Sequence, residues 1–362
     1  MPHYGSSRPS ADYFNSNLMM QNFIIADISN GTNRVLLYDE RGQGKDADAL
    51  CSLRIAHHLA LRKKSLESGR VPPSKLLVIL DNCVGQNKSR VVFMFFSLLS
   101  LLFYESVALV FLIPGHSHNQ ADRVVAWCRN KMRGQNLYTP KEVLDVIGSI
   151  NSVQAEFQDH KDAKRPFFVG WGALMSKYFR PMPAGYTGNY FFEFANGEVE
   201  MRHLIDTPDD DARVFHMIAE GNQGAVKSAL LKEIFGPGTN TIDDAKMNNI
   251  MLPRHGGKQL TSKKLKSLAK KYFSIPADKL SYYPAVSEEI MEAPSDSEGG
   301  DEDRNGDSQA ATSARPATTR ARKQVVAVGV RPPKMPARLG RPKKNKTLPN
   351  GQKSILSFFK KK

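Results

Sequence analysis

Residues 75–88 read KLLVILDNCVGQNK and contain the most apolar short segment that ends in an acid. The first six residues of this stretch are mostly Leu, Val and Ile, and such a continuous apolar run is typical of a strand that is buried on both faces. The run ends at Asp81 and passes directly into polar, loop-forming residues. Core packing does not explain a carboxylate at the end of a buried strand, so Asp81 is the first candidate site residue.

The segments on either side of this strand alternate between strand and helix patterns. Upstream, NFIIADI and RVLLYD flank the turn SNGTN, which predicts a hairpin, and residues 46–68 have helical periodicity with Asp46 as the cap. Downstream we expect a buried helix at 88–104, a strand at 107–113 and a helix at 119–132. Right-handed crossovers then predict an α/β fold with one mixed sheet flanked by helices.

The composition changes twice along the chain. After Tyr138, aromatic residues are concentrated in FFVGW, KYF and GNYFFEF, with a turn predicted at Asn196-Gly197 and a lysine-rich amphipathic helix at 262–273. From residue 287 onward, Pro, Ser, Gly and charged residues dominate. We therefore predict a core at 1–138, a small α+β module at 139–286 and a disordered tail at 287–362.

The net charge of the 362-residue chain, +15, is concentrated in the tail. Residues 315–362 contain fifteen Lys and Arg and no acid, and residues 288–307 contain nine acids and one base. Residues 1–287 are only mildly basic, with 35 bases against 27 acids. Such a polycationic end predicts salt-dependent binding to nucleic acid.

Secretion and membrane insertion are not expected. The N-terminal residues lack a basic leader and an apolar segment. The longest apolar run, 91–103, is too short to cross a bilayer, since a spanning helix needs roughly 20 residues. Cys51, Cys83 and Cys128 form no CxxC pair, which argues against a disulfide scaffold and a zinc site.

A second polar cluster, GHSHNQADR, follows the next predicted strand. It places Asp122 in the first turn of a helix, and sites in open α/β sheets form outside the carboxyl ends of strands, so we expect Asp81 and Asp122 to meet. Carboxylates brought together favour Mg²⁺ or Mn²⁺, which can activate water against a phosphodiester. The structural alternatives are that Asp122 stabilises its helix start, that Asp81 caps a turn and that His116 is a solvated loop histidine.

Three segments, LYDERGQGKDADAL, LVILDNCVGQNKSR and IPGHSHNQADR, together resemble a eukaryotic transposase-derived family with an RNase H-like DDE core, a family largely of unknown function. The resemblance covers residues 1–285. It implies that Asp81 is the second catalytic and metal-binding acid and Asp122 the third. It also implies a set of motif residues around these two acids, with Gly115 among them. Those expected close to the DNA are Gly85, Gln86, Asn87, Lys88, His116 and Arg123.

The chain departs from this family at its start. The family carries its first acid on a strand that comes just before a Leu-Pro-His-like segment, whereas this chain begins Met1-Pro2-His3. By the resemblance, the absent strand would lie between the hairpin and the strand that ends at Asp81, and its loss would leave unpaired backbone in the core. A truncated reading frame and a decayed copy both account for this. Asp27 is the candidate stand-in for the first acid, followed by Asp39 and Glu40.

The last residues contain a candidate peptide motif for a protein partner. Ile355, Phe358 and Phe359 fall on one face of a single helical turn, and Gln352 lies at its edge. These four positions resemble the box bound by the replication sliding clamp, PCNA. An accidental apolar patch is the alternative, but two Phe in a disordered tail have no core to join.

A basic motif lies between the acidic patch and the clamp box. The residues Gly340, Arg341, Pro342, Lys343 and Lys344 resemble an AT-hook that enters the minor groove, although Leu339 stands where an Arg is usual. The same residues match a basic signal for a nuclear import receptor. Both interpretations place the chain in the nucleus.

Two functions from different classes follow. The first is a DNA-binding protein of transposase ancestry that docks on the sliding clamp and has an incomplete catalytic site. The alternative is an active DDE nuclease or strand-transfer enzyme that depends on Mg²⁺ or Mn²⁺.

Overall fold

The computed structural model describes residues 1–5, 8–113, 119–162 and 168–292. The strands are β1 Met20–Asp27, β2 Thr32–Asp39, β3 Lys75–Leu80, β4 Ser106–Phe111, β5 Val153–Phe157, β6 Phe191–Ala195, β7 Glu198–Arg202 and β8 Arg213–His216. The helices are α1 Ser10–Phe14, α2 Ala47–Glu67, α3 Arg90–Leu102, α4 Gln120–Met132, α5 Pro140–Gly148, α6 Trp171–Tyr178, α7 Gln223–Phe235, α8 Ser262–Ala269 and α9 Glu288–Glu292. None of these helices is both long and apolar enough to cross a membrane.

The elements predicted from local patterns are confirmed. β1 and β2 form the expected antiparallel hairpin, and the carboxylate of Asp46 accepts the Ala49 N–H at the start of α2 over 2.9 Å. α3 is the predicted buried helix, and every residue from Val92 to Leu102 is buried. β6 and β7 turn at Asn196-Gly197, where both residues have positive φ, which explains the glycine.

The described strands form two sheets, and the prediction of one mixed sheet is wrong in this respect. One sheet has the order β1-β2-β5 and the other β3-β4-β6-β7-β8. β3 and β4 are parallel as predicted, but the hairpin pairs with β5 rather than with β3. The fold class itself, mixed α/β with helices covering the sheets, is confirmed.

The strand β3 lies at a sheet edge, and the prediction that both its faces are buried is wrong. No residue of β3 is fully buried, whereas five of the six residues of β4 are. An apolar run cannot distinguish an edge strand from a central one, because hydrophobicity does not depend on whether a strand has one neighbouring strand or two.

The three-stranded sheet lies between two layers of helices. Leu36 and Tyr38 of β2 pack with Ala49 and Leu53 of α2 on one face. The alternate residues of β2 contact α4 and α5 on the other face, through an apolar cluster that includes Val124. This alternation follows from the period of two in a strand.

The larger sheet and α3 form the main apolar core. Phe93 of α3 lies edge-on to Phe192 of β6, with ring centroids 4.7 Å apart, and Trp171 of α6 packs on Phe95. Such edge-to-face pairs are the favoured arrangement of aromatic rings.

Residues on both sides of the boundary predicted at 138/139 contribute to both sheets. β5 pairs with β2 in the first sheet, and β6 pairs with β4 in the second. The elements after residue 138 therefore complete the sheets of the preceding segment.

Candidate functional site

The loop after β3 is a compact turn that leads into α3. The carbonyl oxygen of Cys83 accepts the backbone N–H groups of Gln86, Asn87 and Lys88 over 3.3, 2.9 and 3.2 Å. Ser89 then caps α3 by accepting the Val92 N–H. These bonds keep Asp81 and Asn87 close together at the carboxyl end of β3.

Asp81 is exposed and belongs to a chain of polar contacts that reaches into the core. Its Oδ1 accepts a hydrogen bond from the side-chain amide of Asn87, and the Asn87 Oδ1 accepts one from Nη2 of Arg54 over 3.1 Å. Arg54 is only 6% exposed, and burial lowers its pKa to about 10. The guanidinium therefore positions Asn87, and Asn87 positions the Asp81 carboxylate.

Arg54 belongs to none of the sequence motifs, although the sequence contains a signal for it. Arg54, His57 and His58 have helical spacing within an otherwise apolar part of α2, and all three are buried. Charged and titratable residues on a buried helix face are rarely there for packing alone. This spacing could have identified α2 as a part of the site.

The motif residue Gly85 lies on the surface of the loop, and its neighbour Gln86 is half-buried. Gly85 is exposed, and a Cβ added there would meet nothing within 4 Å. Neither a positive φ nor a close contact in the described residues requires a glycine at this position. The surface over Gly85 is open to an approaching ligand.

The motif residue Lys88 points into the protein. Its side chain is fully buried, and Nζ donates to the carbonyl oxygens of Thr187 and Asn189, each over 2.8 Å. The ammonium also lies over the rings of Phe111 and Tyr190, 4.6 and 4.7 Å from their centroids. In this conformation Lys88 anchors the loop and does not reach a DNA phosphate.

Asp122 lies at the third position of α4, in a capping box. Its Oδ2 accepts the backbone N–H of Asn119 over 2.9 Å, and Asn119 Oδ1 accepts the N–H of Asp122 over 3.0 Å. This is the structural alternative considered for Asp122, and it engages one carboxylate oxygen. Asp122 and Arg123 are both exposed, while Gly115 and His116 lie outside the described residues.

Asp27 lies at the end of β1, beside the hairpin turn. It accepts the N–H of Asn30 in the hairpin turn over 3.0 Å, and its charge acts on the pKa of Tyr104. Tyr104 precedes Glu105, whose N–H donates to the carbonyl oxygen of Ser74 just before β3 begins. Within the described residues, Asp27 and Asp81 have different side-chain hydrogen-bond partners, Asn30 and Asn87.

Asp39 and Glu40 are engaged in ion pairs. Asp39 is buried with Arg41, at 2.7 Å, and accepts the Tyr282 hydroxyl at 3.0 Å. Burial alone would raise the pKa of Asp39, but hydrogen bonds from Arg41 hold it below its usual value. Glu40 pairs with Lys264 at 3.0 Å. Both acids have structural partners in place of a metal ion.

The donor set does not make a complete two-metal site within the described residues. No group of three or more His, Cys, Asp or Glu side chains is placed there to hold a metal ion. Asp81 and Asp122 each have one oxygen engaged in a hydrogen bond. Two such carboxylates are fewer than the ligands that a pair of Mg²⁺ or Mn²⁺ ions requires.

The tail motifs lie outside the described residues. This holds for the clamp box Gln352, Ile355, Phe358 and Phe359 and for the basic segment from Gly340 to Lys344.

A family model described as a domain of unknown function (DUF7869) matches residues 15–200. This range includes β1 to β6, the first three residues of β7, Asp81 and Asp122. No curated protein and no solved structure matches the chain.

Proposed function

The chain belongs to the family of the domain of unknown function DUF7869, and we propose that it is a nuclear DNA-binding protein of transposase ancestry that docks on the replication sliding clamp. Its body has an RNase H-like fold without a complete catalytic site. The tail supplies the electrostatic attraction to DNA, the nuclear import signal and the clamp-binding peptide.

The positions of two edge strands are the observation that supports transposase ancestry. β1 and β3 are both edge strands, and an RNase H-like sheet would have its first strand, with the first acid, between them. Asp81 after β3 and Asp122 at the start of α4 have the positions that the resemblance gives to the second and third acids.

The geometry supports DNA binding more than catalysis. Asp27 accepts the N–H of Asn30 in the hairpin turn, and Asp39 is buried in an ion pair with Arg41. The alternative, an active divalent-metal nuclease, would need a third acid from a segment that the described residues do not provide. The exposed loop at Asp81 and Gly85 remains available as a surface beside the DNA.

DNA binding is tested by its dependence on salt. We expect the affinity of the full chain for labelled duplex DNA to fall by about 10³ between roughly 50 and 200 mM KCl, as for a protein that makes several phosphate contacts. A variant of equal length whose fifteen Lys and Arg at 315–362 are changed to Gln should bind about tenfold more weakly at the higher salt, with a shallower slope. Equal slopes of log affinity against log salt concentration for the two chains would contradict a role of the tail in DNA binding.

A further inference from the structure

The helix α4 packs against the body with one face and presents a row of three side chains to solvent. Val124 and Cys128 are its buried residues, and they belong to an apolar cluster with β2 and α5. Arg123, Trp127 and Lys131 are exposed. They follow one another at intervals of four residues, a spacing that places helical side chains on one face, about 5–6 Å apart. We call these three residues the α4 row.

The α4 row lies in a cationic surface. Arg129 and Arg133 are also exposed, so residues 120–133 carry four cationic side chains against one carboxylate, Asp122. Within the described residues none of these four cations has an ion-pair partner, whereas Asp122 is engaged in the capping box. Exposed cations that the protein does not neutralise attract a polyanion such as a nucleic acid.

The two tryptophans of the chain lie in opposite environments. Trp171 is fully buried, donates to the Ser52 hydroxyl over 3.0 Å and packs on Phe95. Trp127 is 38% exposed, and in the part of the chain that the structure describes its ring is paired with neither another aromatic ring nor a cation. Tryptophan is enriched in binding surfaces, where its flat apolar ring covers a partner. The open indole therefore has the character of a contact residue.

The combination of an open ring and flanking cations selects among nucleic acids. In a duplex, stacked neighbours cover both faces of each base, and the side chains that separate them act as protruding wedges. More than half of Trp127 is buried, so it offers the face of a ring rather than a wedge. Unpaired bases stack on such rings, and basic residues beside the rings hold the phosphates.

We propose that the outer face of α4 binds single-stranded DNA, with an unpaired base stacked on Trp127 and the adjoining phosphates held by Arg123 and Lys131. The inference rests on the proposed DNA binding and specifies its substrate, because the tail attracts DNA of any form whereas α4 selects the unpaired strand. Every base has a face on which it can stack. The α4 row therefore binds with little preference for sequence.

The intrinsic fluorescence of the full chain reports this contact, since Trp127 is the exposed one of the two tryptophans. The fifteen Lys and Arg at 315–362 are changed to Gln, so that binding by the tail is suppressed. The probe is oligo(dT) of about 15 nucleotides, a length within the range of known single-strand sites. Saturating oligo(dT) should quench the fluorescence, and Trp127→Phe, which leaves only the buried Trp171, should show no quenching. Absent quenching would overturn the proposal.

Probes without bases or without an unpaired strand separate stacking from charge. An abasic oligonucleotide of the same length keeps the phosphates, and it should bind about tenfold more weakly than oligo(dT). Trp127→Ala should lower the affinity for oligo(dT) by about the same factor and should bind both probes equally, while Trp127→Phe keeps a ring and most of the affinity. A duplex of the same length should bind at least about tenfold more weakly than oligo(dT). Equal affinity of the Trp127 chain for oligo(dT) and either of these probes would overturn the proposal.

Two pairs of cations test the phosphate contacts. Arg123→Gln with Lys131→Gln should make the slope of log affinity against log salt concentration shallower by about 1.4, because each phosphate contact to a single strand contributes about 0.7. Lys63→Gln with Lys64→Gln removes two exposed lysines of α2 and is the matched control. The control should keep the slope of the parent chain. Equal slopes for the two double variants would contradict binding along the α4 row.

The outcomes also separate this inference from the proposed function. Loss of duplex binding on neutralising the tail, with no response of Trp127 to oligo(dT), would support the tail and overturn the α4 site. Quenching by oligo(dT), with no effect of the tail on duplex binding, would support the α4 site and contradict the tail. Fluorescence that changes with protein concentration in the absence of DNA would assign this face to a second copy. Binding of oligo(U) that is about tenfold tighter would assign it to RNA, and either result would overturn the proposal.

Discussion

Replacing Lys88 by Ala should lower the free energy of unfolding by about 3–5 kcal/mol. The substitution removes a fully buried side chain and leaves a cavity between the rings of Phe111 and Tyr190. It also removes both hydrogen bonds to the carbonyl oxygens of Thr187 and Asn189. Urea denaturation followed by circular dichroism measures the change.

Lys88→Met is the control because it keeps the volume of the side chain. Lys88→Met should lower the free energy of unfolding less than Lys88→Ala does. Because it lacks the ammonium, its comparison with the wild type also isolates the effect of the ammonium's titration. Burial lowers the pKa of Lys88 to about 8, whereas a lysine in an unfolded chain titrates near 10.4. Between these values the unfolded state binds more protons, so the unfolding free energy should rise with pH in the wild type more than in Lys88→Met. If Lys88→Ala lowered the free energy of unfolding by less than about 1 kcal/mol, this would contradict the burial of the Lys88 side chain.

Changing both Phe358 and Phe359 to Ala should lower the affinity of the full chain for the purified sliding clamp by at least about 100-fold. Buried aromatic anchors carry most of the binding energy in small interfaces, and truncating two of them costs several kcal/mol. By helical spacing these two residues share a face with Ile355. Isothermal titration calorimetry measures the loss directly.

The intervening serines provide the control for the clamp motif. Ser354→Ala with Ser357→Ala changes the same segment but leaves Gln352, Ile355 and both Phe in place. This variant should bind the clamp about as tightly as the wild type. Binding by the double Phe variant that equals binding by the double Ser variant would discard the motif.

Local patterns predicted the elements of the body, but not the partners of its strands. The hairpin, the cap of α2 at Asp46 and the buried helix α3 follow from turn residues, a capping side chain and apolar periodicity. Strand pairing depends on contacts between distant residues. The pairing of β5 with β2 could therefore not be predicted from local patterns. For the same reason, the apolar sequence of β3 did not reveal that it is an edge strand.

The candidate site was predictable only in part for a similar reason. Asp81 and Asp122 could be assigned to a strand end and a helix start because these positions are local. The direction of a side chain depends on the packing around it. The resemblance implies that Lys88 lies close to the DNA, and in the structure the aromatic rings and carbonyl groups of distant segments surround its ammonium. Arg54 reaches Asn87 from a separate helix, which no spacing in the motif indicates.

Cleavage of labelled DNA in the presence of Mg²⁺ or Mn²⁺ tests most directly the claim that this is a DNA-binding protein with an incomplete catalytic site. The chain should bind the DNA and leave it uncut, and Asp81→Ala and Asp122→Ala should behave like the wild type in this assay. Metal-dependent cleavage by the wild type that both substitutions abolish would contradict the claim, because a third acid would then complete an active site with Asp81 and Asp122.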